Sequence, residues 1–498
     1  MVKIAEIVSQ NPWWNQGIEF IRYDVHLTKA KPLFFKREDL HLERGNIYVL
    51  RGPRQVGKTT YLKETIRQML ERGVPAAHIL YLSFDFFTSR RELRNAINFF
   101  LDSTREVEVI YLFFDEITSL DDWNFELKYL ADQGIAAKAV IVATGSNAVR
   151  LKQKAELLPG RGLEGNEFYI KPFSFREFLL QTIDRVCSYV ARGEFHNALH
   201  NLKPALHENK LDLSANPDEL QRMVFNLMPY KKELQYLFRI YLMTGGNPGV
   251  INNYLVNRYE KGTERIDDTL AEVFIRDVLG DLSRVQKQET LARQLLKALL
   301  DRYGSRYSFT KLSKVIERTH VTTIDYLELL EESFILAVFY AYDFNKKDIK
   351  SKGDKKVYFL DPFTYHSMKS YLSGRPLWDV ITETLWREEV QSTVIEGIVQ
   401  LHLLMHREIP YLRKGQTFLW LYYDKTGKEI DAILSLNHDY IGIEVKYQAQ
   451  VNDKDVRKIA PVKNYLILSK EDVGTGKQVE IVPVDLFLSL LETSERNL

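Results

Sequence analysis

Four apolar runs punctuate the first 147 residues: "IYVL" (47–50), "HILYLSFDF" (78–86), "VIYLFFDE" (109–116) and "KAVIVATGSN" (138–147). Each is short, rich in Ile, Val, Leu, Tyr and Phe, and without the polar alternation of a half-exposed strand, so each reads as a strand covered on both faces of a parallel sheet. Between them lie stretches with apolar residues at helical spacing. The first, "TTYLKETIRQMLERG" (59–73), stops at Gly73, a usual helix terminator. Residues 176–285 keep the helical period, with polar breaks near Asn209, Pro217 and Pro229. Then come a long helix "KQETLARQLLKALLDRYG", "SFTKLSKVI", a break "ERTH" and "VTTIDYLELLEESF", the order of a helix-turn-helix. "ILAVFYAY" and "VYFLD", joined by the lysine-rich "DFNKKDIKSKGDKK", predict the two strands of a wing.

A chain of 498 residues with 45% hydrophobic content buries several cores, which excludes a disordered protein. The formal charge of +1 provides no global field toward nucleic acid, so such contacts must come from local patches. Cys187 is the single cysteine, which excludes an intrachain disulfide and a multi-cysteine zinc site. The opening "MVKIAEIVSQNPWW" lacks the order of a signal peptide, and no apolar run approaches the length of a membrane span. A cytoplasmic protein without a membrane is expected.

The chemistry begins at "RGPRQVGKTT" (51–60), which matches G-x-x-x-x-G-K-[ST] directly after a buried strand. Backbone N–H groups of such a turn and the helix N-terminus hold phosphate. Gly52, Pro53, Arg54, Gln55, Val56, Gly57, Lys58, Thr59 and Thr60 form the expected ATP-binding loop. Lys58 is placed on the β- and γ-phosphates and Thr59 on Mg²⁺. "YLFFDE" ends in Asp115, expected to hold the metal through water, and Glu116, expected to orient or deprotonate the attacking water. This acid pair favours hydrolysis over binding alone. Ser146 and Asn147 in "ATGSN" stand one strand later, within reach of the γ-phosphate or the lytic water. Arg161, on the glycine-rich "LLPGRGLEG", either stabilises phosphoryl charge, in its own subunit or a neighbour's, or is an ordinary turn arginine.

"GPRQVGKTT", "FFDE", "ATGS", "LPGR" and "KPFSFREFL" together resemble the prokaryotic AAA-type P-loop ATPases that carry a winged helix and a C-terminal nuclease-like domain. The resemblance implies an α/β fold: a five-stranded P-loop ATPase sheet with a helical lid, then a winged helix and a restriction-endonuclease-like α/β domain. "GGNPGVINNYL" (245–255) resembles the lid segment, and a functional role for Arg161 is implied. The expected division is 1–175 for the ATPase core, 176–285 for lid and added helices, 286–375 for the winged helix and 376–498 for the nuclease-like domain.

On the third helix of the helix-turn-helix, Val321, Ile324, Leu327 and Leu330 are expected to face inward. That leaves Thr322, Thr323 and Tyr326 outward for a DNA groove. In the wing, Lys346, Lys347, Lys350, Lys352, Lys355 and Lys356 outnumber Asp348 and Asp354, a local excess suited to a phosphate backbone. Against this, Asp325, Glu328, Glu331 and Glu332 also ride the helix, and a lysine-rich hairpin is commonly just solvated.

Near the end, "EIDAILSLNHDYIGIEVKYQ" predicts two strands joined at "NHD". Asp431 opens the first, while Glu444 and Lys446, two apart on the second, share one face. Glu396, in the apolar helix "STVIEGIVQLHLL", adds another acid. Glu396, Asp431 and Glu444 are candidate ligands of a divalent metal, and Lys446 is a candidate to activate water or steady the phosphorane charge. The set resembles the D-x-n-(D/E)-x-K signature of the PD-(D/E)XK nuclease-like fold. Ser392, Ile395 and Gly397 stand where that family's helix usually has Gly, Phe and Asn.

The assembled expectation is an ATPase, with ATP and Mg²⁺ as cofactors, that binds DNA and acts on DNA structures in repair or recombination through the winged helix and nuclease-like domain, with branched DNA among its candidate forms and a homo-oligomer as a candidate assembly. An ATP-dependent endonuclease and a signal-transduction switch with a protein partner are the alternatives.

Overall fold

The computed structural model describes residues 4–29, 32–120, 123–145, 166–213, 216–284, 287–406, 418–436 and 439–494. The chain divides into two compact units, residues 1–171 with 496–498, and residues 172–495.

The first unit is built on β1 (Ile47–Arg51), β2 (Ile79–Ser83), β3 (Ile110–Asp115), β4 (Ala139–Gly145) and β5 (Glu167–Tyr169). They form one sheet in the order β2-β3-β4-β1-β5, with every pair parallel. Alternate residues sort into two cores, because successive side chains of a strand point to opposite faces. Ile47, Val49, Leu80, Leu82, Leu112, Phe114 and Ile141 pack with Leu93, Ile97 and Phe100 of the helix Arg90–Ser103. Tyr48, Leu50, Ile79, Tyr81, Phe113, Val140 and Val142 pack with Leu62, Ile66 and Met69 of the helix Lys58–Glu71 and with Trp13 and Phe20. The unbroken apolar runs of the sequence are the signature of this two-sided burial. Parallel pairing then brings the C-terminal ends of β1, β3 and β4 to one edge of the sheet.

The second unit starts with helices, among them Phe175–Tyr189, Lys231–Thr244 and Asp268–Arg284. Ser174 and Glu177 close a capping box at the first of these, satisfying two of its orphan N–H groups. Buried Arg176 donates to the carbonyls of Leu206, Asn209 and Ser489, joining the start of the unit to its end. Helices Glu289–Leu300, Phe309–Val315 and His320–Glu332 lead into antiparallel hairpins. β6 (Leu336–Tyr340) pairs with β9 (Lys355–Phe359), and β7 (Tyr342–Asp343) with β8 (Asp348–Ile349). The helix Glu388–His406 precedes a six-stranded mixed sheet. Its strands are β10 (Leu419–Tyr423), β11 (Glu429–Leu436), β12 (Asp439–Lys446), β13 (Asn464–Ser469), β14 (Gly474–Gly476) and β15 (Val479–Pro483). Their order is β10-β11-β12-β13-β15-β14, parallel only at β12-β13 and β13-β15. Among the described residues no helix is long and apolar enough to cross a membrane.

The helix His320–Glu332 corrects one expectation. Its buried stripe is Thr323, Tyr326, Leu327 and Leu330, whereas Val321 is 67% exposed. Thr323 turns its hydroxyl onto the Thr319 carbonyl (2.9 Å), and the Tyr326 hydroxyl accepts from the Gln288 N–H (2.8 Å). Both polar groups are satisfied by backbone, so their burial carries no unpaired donor or acceptor. Neither faces a groove. Thr322 stays half-exposed and joins the cap made by Thr319.

Candidate ATP site and a second acidic centre

The loop 52–57 leaves the end of β1 and closes onto the helix Lys58–Glu71, with Gly57 (φ 97°) as N-cap and Gln55 at φ 61°. A Cβ at Gly52 would lie 2.1 Å from the Ile170 carbonyl oxygen, so only glycine lets the loop pass β5's end. Val56 is buried in the core and anchors the turn, while Arg54, Gln55, Thr59 and Thr60 are half-buried. The Lys58 ammonium donates to the carbonyls of Gly52 (3.1 Å) and Pro53 (2.9 Å) and lies 3.9 Å from the Glu116 carboxylate.

Asp115 ends β3 at the centre of a hydroxyl cluster. Its Oδ2 accepts from Thr59 Oγ1 (2.7 Å) and from the Tyr81 hydroxyl (2.8 Å), and its Oδ1 accepts from Thr144. Thr144 Oγ1 in turn accepts from the Glu116 N–H (3.1 Å), holding the chain where Glu116 adopts a left-handed φ of 49°. A non-glycine residue in that region is uncommon and marks a locally determined backbone. The hydroxyl and carboxylate of Thr59 and Asp115 are hard oxygen donors, so this pair suits Mg²⁺. Ser146, Asn147 and Arg161 lie outside the described residues.

Tyr81 and Thr144 escaped the sequence reading. Their signal was a hydroxyl within an otherwise apolar buried strand, which must find a partner. Burial, then the Asp115 carboxylate, pushes the Tyr81 phenol well above its usual value, so it remains a donor. Tyr81→Phe keeps the ring and frees one side of Asp115. Loss of a hydrogen bond to a charged group costs roughly 1.5–3 kcal/mol. ATP turnover is expected to fall by about tenfold or more, with a raised Mg²⁺ requirement; a steady-state Mg²⁺ titration checks it, and a change in Tm alone would leave Tyr81 a packing residue.

The second centre lies in unit 2. Lys356 and Tyr358, two apart on β9, share one face, and both reach Glu396 on the helix Glu388–His406. The Lys356 ammonium lies 2.6 Å from Glu396 Oε1, 2.9 Å from Glu429 Oε1 and 3.2 Å from Asp431 Oδ1, and the Tyr358 hydroxyl also donates to Glu396. Asp431 Oδ2 accepts from the Val445 N–H (3.0 Å). Lys446 pairs with Glu444 at 2.7 Å, and the other Glu444 carboxylate oxygen is buried without a hydrogen-bond partner. Burial first, then the Asp431 charge, pushes Glu396 up to about 7 and Glu444 up to about 8. Burial alone would lower the Lys356 ammonium, but Asp431, Glu396 and Glu429 carry it above its ordinary value.

Each of the three expected metal ligands Glu396, Asp431 and Glu444 therefore already faces a lysine ammonium. Among the described residues no group of three or more His, Cys, Asp or Glu is arranged to hold a metal ion. The set as folded does not fit a divalent cation. Beside it opens a groove of about 950 Å³ lined by Arg306, Lys428, Lys446, Lys454, Arg457 and Lys458 against Glu429, Glu444, Asp453 and Asp455.

Two of the expected DNA contacts are corrected here. Lys356 is 2% exposed and committed to the acids. Lys355 is 1% exposed, donates to the Ser351 and Gly353 carbonyls (both 2.7 Å) and lies over the Phe309 ring. Both are held inside because β9 is a buried strand, paired along its length with β6. Lys350 packs over Tyr423, while Lys346, Lys347 and Lys352 are exposed.

Residues 44–179 match the family described as AAA domain. Residues 235–374 and 392–487 match two families described as domains of unknown function, DUF8612 and DUF4143. An uncharacterized protein of Haemophilus influenzae is 24% identical over 454 residues, 88% of this chain and 91% of the relative. An uncharacterized protein of Methanocaldococcus jannaschii is 26% identical over 68% of this chain and 65% of its own length. Likeness to solved structures is weaker. The Walker-type ATPase PABY2304 of Pyrococcus abyssi is 14% identical with TM-score 0.37, over 65% of this chain and 91% of that one. Cdc6p of Pyrobaculum aerophilum is 14% identical with TM-score 0.29, over 78% and 97%. The match to the AAA domain family falls on the residues that form the parallel sheet and the loop whose Thr59 hydroxyl meets Asp115.

Proposed function

We propose that the first unit hydrolyses ATP and that the second handles nucleic acid, with DNA as the ligand and branched DNA as a candidate form. The groove beside the acidic centre carries the nucleic-acid reading: six cationic side chains against four carboxylates line it, in a chain whose formal charge is only +1. A local excess of this kind is what a phosphate backbone recognises. Exposed Lys346, Lys347 and Lys352 extend the same chemistry to the hairpin 343–356.

In the ATP site the loop from Gly52 to Thr60 holds the triphosphate through its N–H groups, with Lys58 on the β- and γ-phosphates. Thr59 and, through water, Asp115 would hold Mg²⁺, which would neutralise phosphate charge. Glu116 takes the proton of the attacking water as its oxygen bonds to the γ-phosphorus and the bond to the β,γ-bridging oxygen breaks. Ser146 and Asn147 touch the γ-phosphate or the lytic water, and Arg161 supplies positive charge, from the same chain or from a second copy. Residues 176–285 serve as lid and added helices, 286–375 as a winged helix and 376–498 as a nuclease-like module that grips the backbone.

Gel shifts with linear duplex, fork and four-way junction, run beside ATPase rates, test the reading. Binding that weakens steeply with salt, and a smaller salt slope in Lys454→Glu/Lys458→Glu, are expected. An ATPase rate identical with every nucleic acid, together with no binding, would sink it in favour of a switch with a protein partner.

A further inference from the structure

The acids of the second centre receive their cation from a distant part of the chain. Lys356 stands on β9, 40 residues before Glu396 and 75 before Asp431. Its ammonium sits between carboxylates of the helix Glu388–His406 and of β11, at 2.6 Å from Glu396, 2.9 Å from Glu429 and 3.2 Å from Asp431. Those are hydrogen-bond distances of a charge-assisted set. A magnesium or manganese ion needs oxygen ligands at about 2.0–2.2 Å and several at once, and here the shared volume between the same oxygens is taken by Nζ. A second positive charge about 3 Å from the first would also be strongly repelled where little water screens it. The set is held from other sides as well: Arg306 pairs with Glu429 at 2.9 Å, Tyr358 binds Glu396, and Lys446 covers Glu444. The second carboxylate oxygen of Glu444 is buried without a hydrogen-bond partner.

We propose that Lys356 is the resident cation of this centre, occupying the place of a divalent metal and pinning β9 to the sheet β10–β15. The centre then does no metal-dependent cleavage, and whatever the adjacent groove binds is bound without a divalent ion. The proposal concerns the acids and their cation alone and does not depend on nucleic acid being the ligand.

Mn²⁺ binding to the full chain without nucleotide, followed by the electron paramagnetic resonance signal of free Mn²⁺, tests it. Wild type and Asp431→Asn are expected to bind Mn²⁺ identically. Lys356→Met is expected to gain one site, which Lys356→Met/Asp431→Asn loses again, and Mn²⁺ should raise the Tm of Lys356→Met and not of wild type. A wild-type site that Asp431→Asn removes would overturn the proposal, as would a folded Lys356→Met that gains none. Should Lys356→Met fail to fold, the comparison of wild type with Asp431→Asn still decides.

Discussion

Lys58→Ala will weaken nucleotide binding by about one to two orders of magnitude, and Glu116→Gln will retain binding while turnover stops. The two variants separate because their side chains meet different stages of the reaction. The Lys58 ammonium is buried at the loop, bonded to the Gly52 and Pro53 carbonyls, where a triphosphate offers it stronger acceptors than neutral carbonyls. Hydrogen bonds to charged groups contribute about 1.5–3 kcal/mol each, so affinity should weaken by about one to two orders of magnitude. Alanine leaves the helix intact, since it is the best helix former. Glu116 lies beyond the strand end with its backbone fixed by Thr144. Loss of a general base lowers rate by about 10²–10⁴, with little change in ground-state affinity. Fluorescent-nucleotide titration and phosphate release measured on both variants check the split; normal hydrolysis in Glu116→Gln would refute its role.

The second large effect is on stability. Lys356→Ala leaves Glu396, Glu429 and Asp431 facing each other without their shared ammonium. Removing one partner of a buried ion pair typically costs about 3–5 kcal/mol, a large share of the stability of an ordinary domain. The loss should depend on pH in a definite direction. Glu396, raised to about 7 in the folded wild type, has an ordinary value of 4.5 when unfolded. A group with a raised folded value binds more protons folded than unfolded, so its stabilising contribution is complete below pH 4.5 and is lost as pH rises through the folded value. In Lys356→Ala that value climbs further, because the cation that lowered it is gone. The variant should regain stability as pH falls from 8 to 5, and the gap to wild type should narrow. Urea melts at pH 5, 6.5 and 8 measure it; a gap that is constant or widens toward pH 5 would contradict the charge account and leave a packing defect.

The ATP loop and its acids are legible because their chemistry is nearly local. Gly52, Gly57, Lys58 and Thr59 lie within one turn, and Asp115 is recognisable as the charge that ends an apolar strand. Parallel pairing does the rest, since it aligns strand ends whatever the helices between them. Tyr81 and Thr144 were harder to see, as each belongs to the cluster only through the side of the strand it faces.

Sequence by itself determined the two-sided parallel sheet and its phosphate loop, because continuous apolar runs have no other way to satisfy both faces and a glycine-rich turn admits few side chains. It also marked the strands around Asp431 and Glu444. Tertiary structure alone decided the fate of the lysines and hydroxyls in the middle of the chain. "KK" at 355–356 reads as a solvated hairpin base, yet pairing with β6 buries the strand, and its alternation sends Lys355 to backbone carbonyls and Lys356 to three carboxylates. Thr323 and Tyr326 became core in the same way, once backbone groups satisfied their hydroxyls. A charge's environment is set by what packs against it in space, and for Lys356 those partners lie 40 to 75 residues further along the chain.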